Sequence, residues 1–260
     1  MTHKYCTVES DGYLLTVTIN RPEVLNSLDV PSSIELSGVF DAFEQDDQHR
    51  VAIVTGAGEK AFCAGADLKE RRTMPVDLVP EFVRNIRALM DDVEALPQPT
   101  IAVVNGFAFG GGTELMLACD LRVAADDARF GLTEVTLAII PGAGGTQRLP
   151  RLVGKSRAKD LILTGRRVDA TEAHSMGLVN RVCPSADLHD EARALAAQIA
   201  ANGPVAVRAA KRAVDQGTEA PLEAGLAIEA DCYAEVIPTQ DRLEALAAFA
   251  EKRKPEFQGR

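Results

Sequence analysis

The stretch from Asn105 to Asp120, Asn-Gly-Phe-Ala-Phe-Gly-Gly-Gly-Thr-Glu-Leu-Met-Leu-Ala-Cys-Asp, constrains the fold more than any other part of the chain. Ile101 to Val104 before it is a β-branched run of the kind found in buried strands, and Leu115, Leu117 and Ala118 after it keep a helical segment apolar. The order is therefore strand, glycine turn, helix. Gly110, Gly111 and Gly112 carry no Cβ, so the backbone can take unusual angles there and a ligand can approach its N–H groups. Amides at a helix start favour negative charge, and Glu114 falls in the first helical turn beside them. It is a candidate for chemistry at that anion site, or a carboxylate that complements the helix dipole.

Alternation marks a half-buried strand from Tyr13 to Asn20, with Asp11-Gly12 as a hairpin turn before it. Ser32-Ser33-Ile34-Glu35 fits a capping box, which starts a helix carrying Ile34, Val39, Phe40 and Phe43 on its apolar side. Val51 to Thr55 is a buried strand. Phe82, Ile86, Leu89, Met90 and Val93 form one face of a second helix, ending near Pro97 and Pro99. Leu121 to Ala125 is a further strand. Beyond Val182 helical patterning takes over, in segments 190–201, 205–214 and 222–233 and a last helix capped by Thr239. The expected class is α/β, with a core over 1–195 and a helical region over 196–260.

With 28 basic and 38 acidic residues the formal charge is −10, so broad binding to nucleic acid or an anionic membrane is disfavoured, and an anionic ligand must be held locally. The five cysteines are odd in number, widely spaced and without a C-x-x-C, which suggests neither a disulfide framework nor a metal site. A reducing cytoplasm is the expected compartment, with no leader segment and no membrane span. Gly56-Ala57-Gly58-Glu59-Lys60-Ala61 matches a dinucleotide fingerprint only superficially, because Phe62 to Asp67 follows it with another glycine instead of a helix. No phosphate-binding G-x-x-x-x-G-K-[ST] is present.

Two more stretches carry site-like chemistry. Phe62 to Lys69 offers small residues and then a charged exit. Phe130-Gly131-Leu132-Thr133-Glu134, with Ile140-Pro141-Gly142-Ala143-Gly144-Gly145-Thr146-Gln147-Arg148 after it, brings a second glutamate and a second glycine turn together. Taken with Ala61 to Lys69 and Asn105 to Asp120, these motifs resemble the enoyl-CoA hydratase/isomerase (crotonase) family over nearly the whole chain. Gly131 to Pro150 and Gly225 to Arg253 look most like its methylglutaconyl-CoA hydratases.

The resemblance implies a crotonase-like spiral of repeated ββα units, a helical C-terminal region used in trimerisation, and homotrimers or hexamers built as dimers of trimers. It implies an acyl-CoA thioester as substrate, with coenzyme A as part of the substrate and no separate cofactor or metal. By position, the amides of Ala66 and Gly111 form an oxyanion hole, and the backbone at Ala64, Asp67 and Leu68 contacts the CoA. Two preorganised N–H donors stabilise an enolate oxygen as its charge develops. Glu114 is the base that activates water, Glu134 the acid that protonates the α-carbon, and Gly142 positions the water. Carboxyls doing such work at neutral pH need raised pKa values, which burial and mutual repulsion supply. Phe249 and Lys252 of a neighbouring subunit are implied to approach the nucleotide, with Arg253 and Lys254 adding positive potential; otherwise they form a solvated basic tail. Lys69, Arg71 and Arg72 are placed to do the same after the adenine segment.

Thr133 stands where many hydratases have proline, and Thr113 where cysteine is frequent; both are expected to alter the pocket wall. The lysine-rich helix of RNA-binding methylglutaconyl-CoA hydratases has no match, since Ser32 to His49 contains Asp41, Glu44, Asp46 and Asp47 and no lysine. Hydration of a 2-enoyl-CoA, in fatty-acid, branched-chain amino-acid or related degradation, is the leading expectation. Isomerisation by the same family, commonly with one carboxylate, and a non-catalytic acyl-CoA or RNA-binding protein are the alternatives.

Overall fold

The apolar alternation after Gly12 sets up the first strand pair. The computed structural model describes residues 3–260, in which β1 (Cys6–Asp11) and β2 (Leu14–Ile19) form an antiparallel hairpin. The helix expected near Ser32 starts earlier: α1 (Val30–Glu44) has Asp29 as its N-cap, and Asp29 and Ser32 exchange the two bonds of a capping box. Ser32 is thus the third helical residue, not the cap. Ile34, assigned to the apolar face, is 60% exposed, whereas Leu36, Val39, Phe40 and Phe43 are buried. Glu35 instead accepts from the N–H groups of Lys4, Tyr5 and Cys6, which pins the N-terminal strand.

Three units follow, each placing its two strands in different sheets. The first has β3 (Val51–Gly56), β4 (Ala61–Cys63), α2 (Leu68–Thr73) and α3 (Val79–Ala95). The second has β5 (Thr100–Val104), β6 (Phe107–Phe109) and α4 (Gly111–Ala118). The third has β7 (Leu121–Ala125), β8 (Arg129–Gly131), a 3-10 turn at Glu134–Leu137, α5 (Gly145–Val153) and α6 (Lys155–Thr164). Then come β9 (Val168–Asp169), α7 (Ala170–Ser175) and β10 (Arg181–Cys183). The first sheet runs β1-β2-β3-β5-β7-β10, parallel from β2 onward. The second runs β4-β6-β8-β9, with β4, β6 and β8 parallel.

Every residue of β3 and β5 is buried, as expected of parallel strands covered on both faces. Helix α3 contributes Phe82, Ile86, Leu89, Met90 and Val93 to that core, as its spacing predicts, each worth about 1.5–3 kcal/mol of burial. The segment Gly56–Ala61 leads from one strand into another and opens no helix.

The strand-turn-helix expected for 101–120 contains one more element, β6, whose three residues cross from the first sheet to the second. It is too short to carry a periodic signal. Helices α5, α6 and α7 also lie where no helix was expected.

The C-terminal helices are α8 (Leu188–Ala200), α9 (Pro204–Thr218), α10 (Leu222–Val236) and α11 (Gln240–Glu251), the last capped by the Thr239 hydroxyl. Helix α8 straddles residue 195 and packs on β3, β5 and β7, its Leu195, Ala196 and Ala200 joining the common core. Helices α9 and α10 form a hairpin in which Gly217 and Gly225 bring the backbones together. Val214, Leu222, Leu226, Tyr233, Leu246 and Phe249 remain exposed on this region.

Candidate active site

Each unit turns just past its second strand, and all three turns meet at one cavity of about 580 Å³. From the first come Ala64, Gly65 and Ala66, from the second Gly110, Gly111 and Glu114, from the third Thr133 and Glu134. Phe82, Val83 and Ile86 of α3 supply an apolar wall.

Two features make the first two turns a donor site. Neither Ala66 N–H nor Gly111 N–H has a protein acceptor among the described residues, although the flanking amides of Gly110 and Asp67 are bonded to Gly131 and Leu28. The two lie side by side: a Cβ on Gly111 would be 3.6 Å from the Ala66 nitrogen. Gly65 keeps them accessible. It holds φ +94, and a Cβ there would stand 3.1 Å from the Gly111 nitrogen. Gly110 (φ +51) turns the chain from β6 into α4, so that Gly111 N–H leads the helix and Glu114 follows in its first turn.

Glu114 is 3% exposed. Its Oε1 accepts from the N–H groups of both Ala143 and Gly145 at 2.8 Å. Burial raises its pKa above the usual carboxylate range, while those two N–H groups and the Arg148 charge pull it back. Arg148 holds the same loop by donating to the Ala143 carbonyl at 2.9 Å while pairing with Asp91 and Glu94 of α3. Glu134 is held differently. It sits at the start of a 3-10 turn, half-buried, with Oε2 shut from solvent and without a hydrogen-bond partner among the described residues. Burial, with the Glu114 charge adding to it, pushes its carboxyl up to about 7.

The sequence matches the family model for enoyl-CoA hydratase/isomerase over residues 9–260. The chain belongs to the enoyl-CoA hydratase/isomerase family. Family members act on acyl-CoA thioesters. Among its relatives, human enoyl-CoA hydratase domain-containing protein 2 is 50% identical over 96% of this chain and 87% of its own length. Human methylglutaconyl-CoA hydratase is 48% identical over 96% of this chain and 75% of its own length. The crystal structure of enoyl-CoA hydratase from Bacillus anthracis superposes with a TM-score of 0.98 at 52% identity, covering 99% of this chain and 100% of that one. The crotonase fold and its ββα repeat, expected from the motifs, are therefore the fold of this chain.

Set against the family motifs, Ala64, Ala66, Leu68, Gly111, Glu114, Glu134 and Gly142 all line the cavity. Asp67 does not. Its carboxylate caps α2 through Lys69 N–H at 2.9 Å and pairs with Arg21, so it shapes the loop that carries Ala66. Phe249 and Lys252 are not brought to the cavity of their own chain; Phe249 is 86% exposed on α11 and Lys252 ends that helix. Arg253 is engaged by Glu244 and Glu251, which offsets the positive potential expected of it. Thr133 lines the cavity, but Thr113 does not form its wall, contrary to expectation: it is buried and its hydroxyl donates to the Ala108 carbonyl at 2.6 Å. Of Lys69, Arg71 and Arg72, only Arg71 reaches the cavity.

The amides of Ala143 and Gly145 and the Arg148 brace were not anticipated as parts of the site. The glycine run 142–145 signals them, but only the fold shows that Glu114 is their acceptor. His3, Cys6 and Glu35 are the one group among the described residues with metal-ligand spacing, and none lines the cavity. No helix among the described residues is long and apolar enough to cross a membrane.

Proposed function

We propose that the chain hydrates 2-enoyl-CoA thioesters to 3-hydroxyacyl-CoA. The observation that carries this reading is a pair of carboxyls, buried Glu114 and half-buried Glu134, in one cavity with two N–H groups that have no protein acceptor among the described residues. The thioester oxygen would accept from Ala66 and Gly111. Glu114, ionised and oriented by Ala143 and Gly145, takes a proton from water as the water oxygen bonds to the β-carbon. The electron pair of the double bond moves toward the thioester oxygen, where the two donors stabilise it. Glu134, with a pKa near 7, gives its proton to the α-carbon, so that one hydrogen and one hydroxyl are added in all. Gly142, whose N–H also lacks a protein acceptor among the described residues, is assigned to position the water. No step requires a cofactor or a metal, since the coenzyme A arrives with the substrate.

Ala64 and Leu68, with the backbone at Asp67, are assigned to the CoA. The exposed apolar face of α9 to α11 is assigned to subunit contacts in a homotrimer or a dimer of trimers, through which Phe249 and Lys252 would reach a neighbour's nucleotide site. A cytoplasmic enzyme fits the five scattered cysteines, and the absence of a nucleic-acid partner fits the acidic balance. Methylglutaconyl-CoA is a reasonable acyl group to try, given the named human relative. Hydration of crotonyl-CoA and 3-methylglutaconyl-CoA, followed by loss of the conjugated-thioester absorbance, tests the reading. Turnover in the wild type, lost in both Glu114→Gln and Glu134→Gln, supports it. Double-bond migration without hydration would move the assignment to isomerase chemistry.

A further inference from the structure

Away from the cavity, the end of β1 and the loop that follows α1 bring three further polar side chains into line. The Ser10 hydroxyl lies 2.6 Å from Nε2 of His49, and Nδ1 of the same ring lies 2.5 Å from Oδ2 of Asp46. The order is hydroxyl, imidazole, carboxylate. Asp46 settles which ring nitrogen carries the hydrogen. Burial raises its pKa, but the bond to the His49 ring and those from the N–H groups of Gln48 and His49, at 2.6 and 3.1 Å, outweigh burial and hold the carboxyl below its usual range. An ionised carboxylate only accepts, so in the neutral ring Nδ1 holds the hydrogen and Nε2 is left to accept from Ser10. The His49 ring is 6.5 Å from that of Phe43, centroid to centroid, and the residue is 7% exposed. Ser10 is exposed, so the imidazole is sheltered and the hydroxyl open.

We propose that Ser10 is a nucleophile that takes the acyl group of an uncharged activated ester, with His49 as its general base and Asp46 as the residue that orients the base. As Ser10 Oγ bonds to the acyl carbon, its proton passes to His49 Nε2. The bond from that carbon to the leaving oxygen then breaks, and the leaving group takes the proton from His49, giving an ester on Ser10 and a free alcohol. No redox partner enters the balance. The surrounding charge sets the class of reagent. Glu9 and Asp11 flank Ser10 in the chain, Asp46 lies behind His49, and the Arg193 guanidinium is paired with Asp11 at 3.1 Å. An anionic ester such as an acyl-CoA is repelled there, and none of Ser10, Asp46 and His49 lines the cavity. The two sites are separate in place and in substrate.

The test incubates the full chain with p-nitrophenyl acetate and follows p-nitrophenolate release, intact mass and the acetylated position by peptide mass spectrometry. The proteins are the wild type, Ser10→Ala, His49→Gln and Asp46→Asn, each checked for folding by circular dichroism. Glutamine at 49 can still accept from Ser10 and donate to Asp46 but cannot take a proton, so it separates the base from the hydrogen bonds of the loop. The wild type should gain an acetyl group on Ser10. His49→Gln and Asp46→Asn should each slow that acetylation by about 10²–10⁴-fold, the span of general-base assistance and of its loss when the tautomer is wrong. Ser10→Ala should show only the slow background at other nucleophiles. Acetylation of Ser10 at the wild-type rate in His49→Gln overturns the proposal. So does a wild type that carries its label on lysine or cysteine and not on Ser10.

Discussion

Glu114 and Glu134 are the same residue type in the same cavity, yet the chain holds them in opposite ways. Glu114 projects from a helix whose eight residues are all buried, and two backbone N–H groups converge on one of its oxygens. Glu134 projects from a short 3-10 turn with none of its residues buried, and one of its oxygens is stranded without a donor. Burial acts on both, but two N–H groups and the Arg148 charge stabilise the Glu114 anion, whereas Glu134 has only its own backbone N–H against burial and the Glu114 charge, so Glu134 is the one that keeps a proton near neutrality. Two carboxyls can divide base and acid work when the backbone around them differs.

The largest expected effect removes either function. Glu114→Gln and Glu134→Gln should each lower kcat for hydration by about 10²–10⁴-fold, read in the absorbance assay. Near-normal turnover in either folded variant would break the division of labour.

Gly145→Ala and Gly110→Ala disturb the same two groups without removing them. A Cβ at 145 would meet Glu114 Oε1 at 3.0 Å and Leu132 at 2.9 Å, and one at 110 would lie 3.2 Å from Glu134 Oε1 in a backbone region that L-residues avoid. Displacement of a catalytic group by a fraction of an ångström to an ångström costs up to about 10²-fold. Gly145→Ala should therefore reduce kcat by about that much, and Gly110→Ala should also lower stability by about 1–3 kcal/mol. Denaturant unfolding separates the two effects.

Stability sharpens the contrast further. Glu114→Ala orphans two buried N–H groups and should destabilise the fold by about 1–3 kcal/mol. Glu134→Ala removes a carboxyl whose Oε2 has no donor among the described residues, and should change stability little at pH 4 while stabilising the fold at pH 8. The sign follows from the raised pKa: the folded state holds the Glu134 proton more tightly than the unfolded chain, so this group's contribution is present below pH 4.5 and lost as pH rises through about 7. The rate has the same origin. Hydration needs protonated Glu134, so kcat should fall above about pH 7, and that limb should vanish from the residual rate of Glu134→Gln.

The smallest effect lies one residue removed. Arg148→Ala frees the Ala143 carbonyl and loosens the loop around Glu114. Its ion pairs with half-exposed Asp91 and Glu94 contribute little on their own, roughly 0–1 kcal/mol. A drop in kcat of about tenfold with KM nearly unchanged, by steady-state kinetics, would mark the loop as a positioning element.

Much of the architecture was legible before any coordinates. The buried runs at 51–55, 101–104 and 121–125 and the amphipathic face of α3 carry strong periodic signals, and Thr239 caps the last helix as its position suggests. The cap of α1 was misplaced because Ser32 and Asp29 both suit an N-cap, and the choice between them lies in the backbone angles of Asp29. β6 and β8 were missed because three residues show no period. The threefold ββα repeat left no visible repeat in the sequence, because its units share only a path between two sheets, and many side chains satisfy that path.

The amino-acid sequence by itself determined which residues carry chemistry here: two glutamates, each tied to a glycine turn, and a run of small residues that leaves backbone N–H groups bare. Those are local properties, fixed by the absence of a Cβ and the presence of a carboxyl. Tertiary structure alone decided how they combine. It put the ends of β4, β6 and β8 around one cavity, gave Glu114 two donors and Glu134 an oxygen without a partner among the described residues, and turned Thr113 and Asp67 away from the pocket. Burial and hydrogen-bond partners depend on segments far apart in the chain, and no local pattern encodes which of two like carboxyls will be the better held.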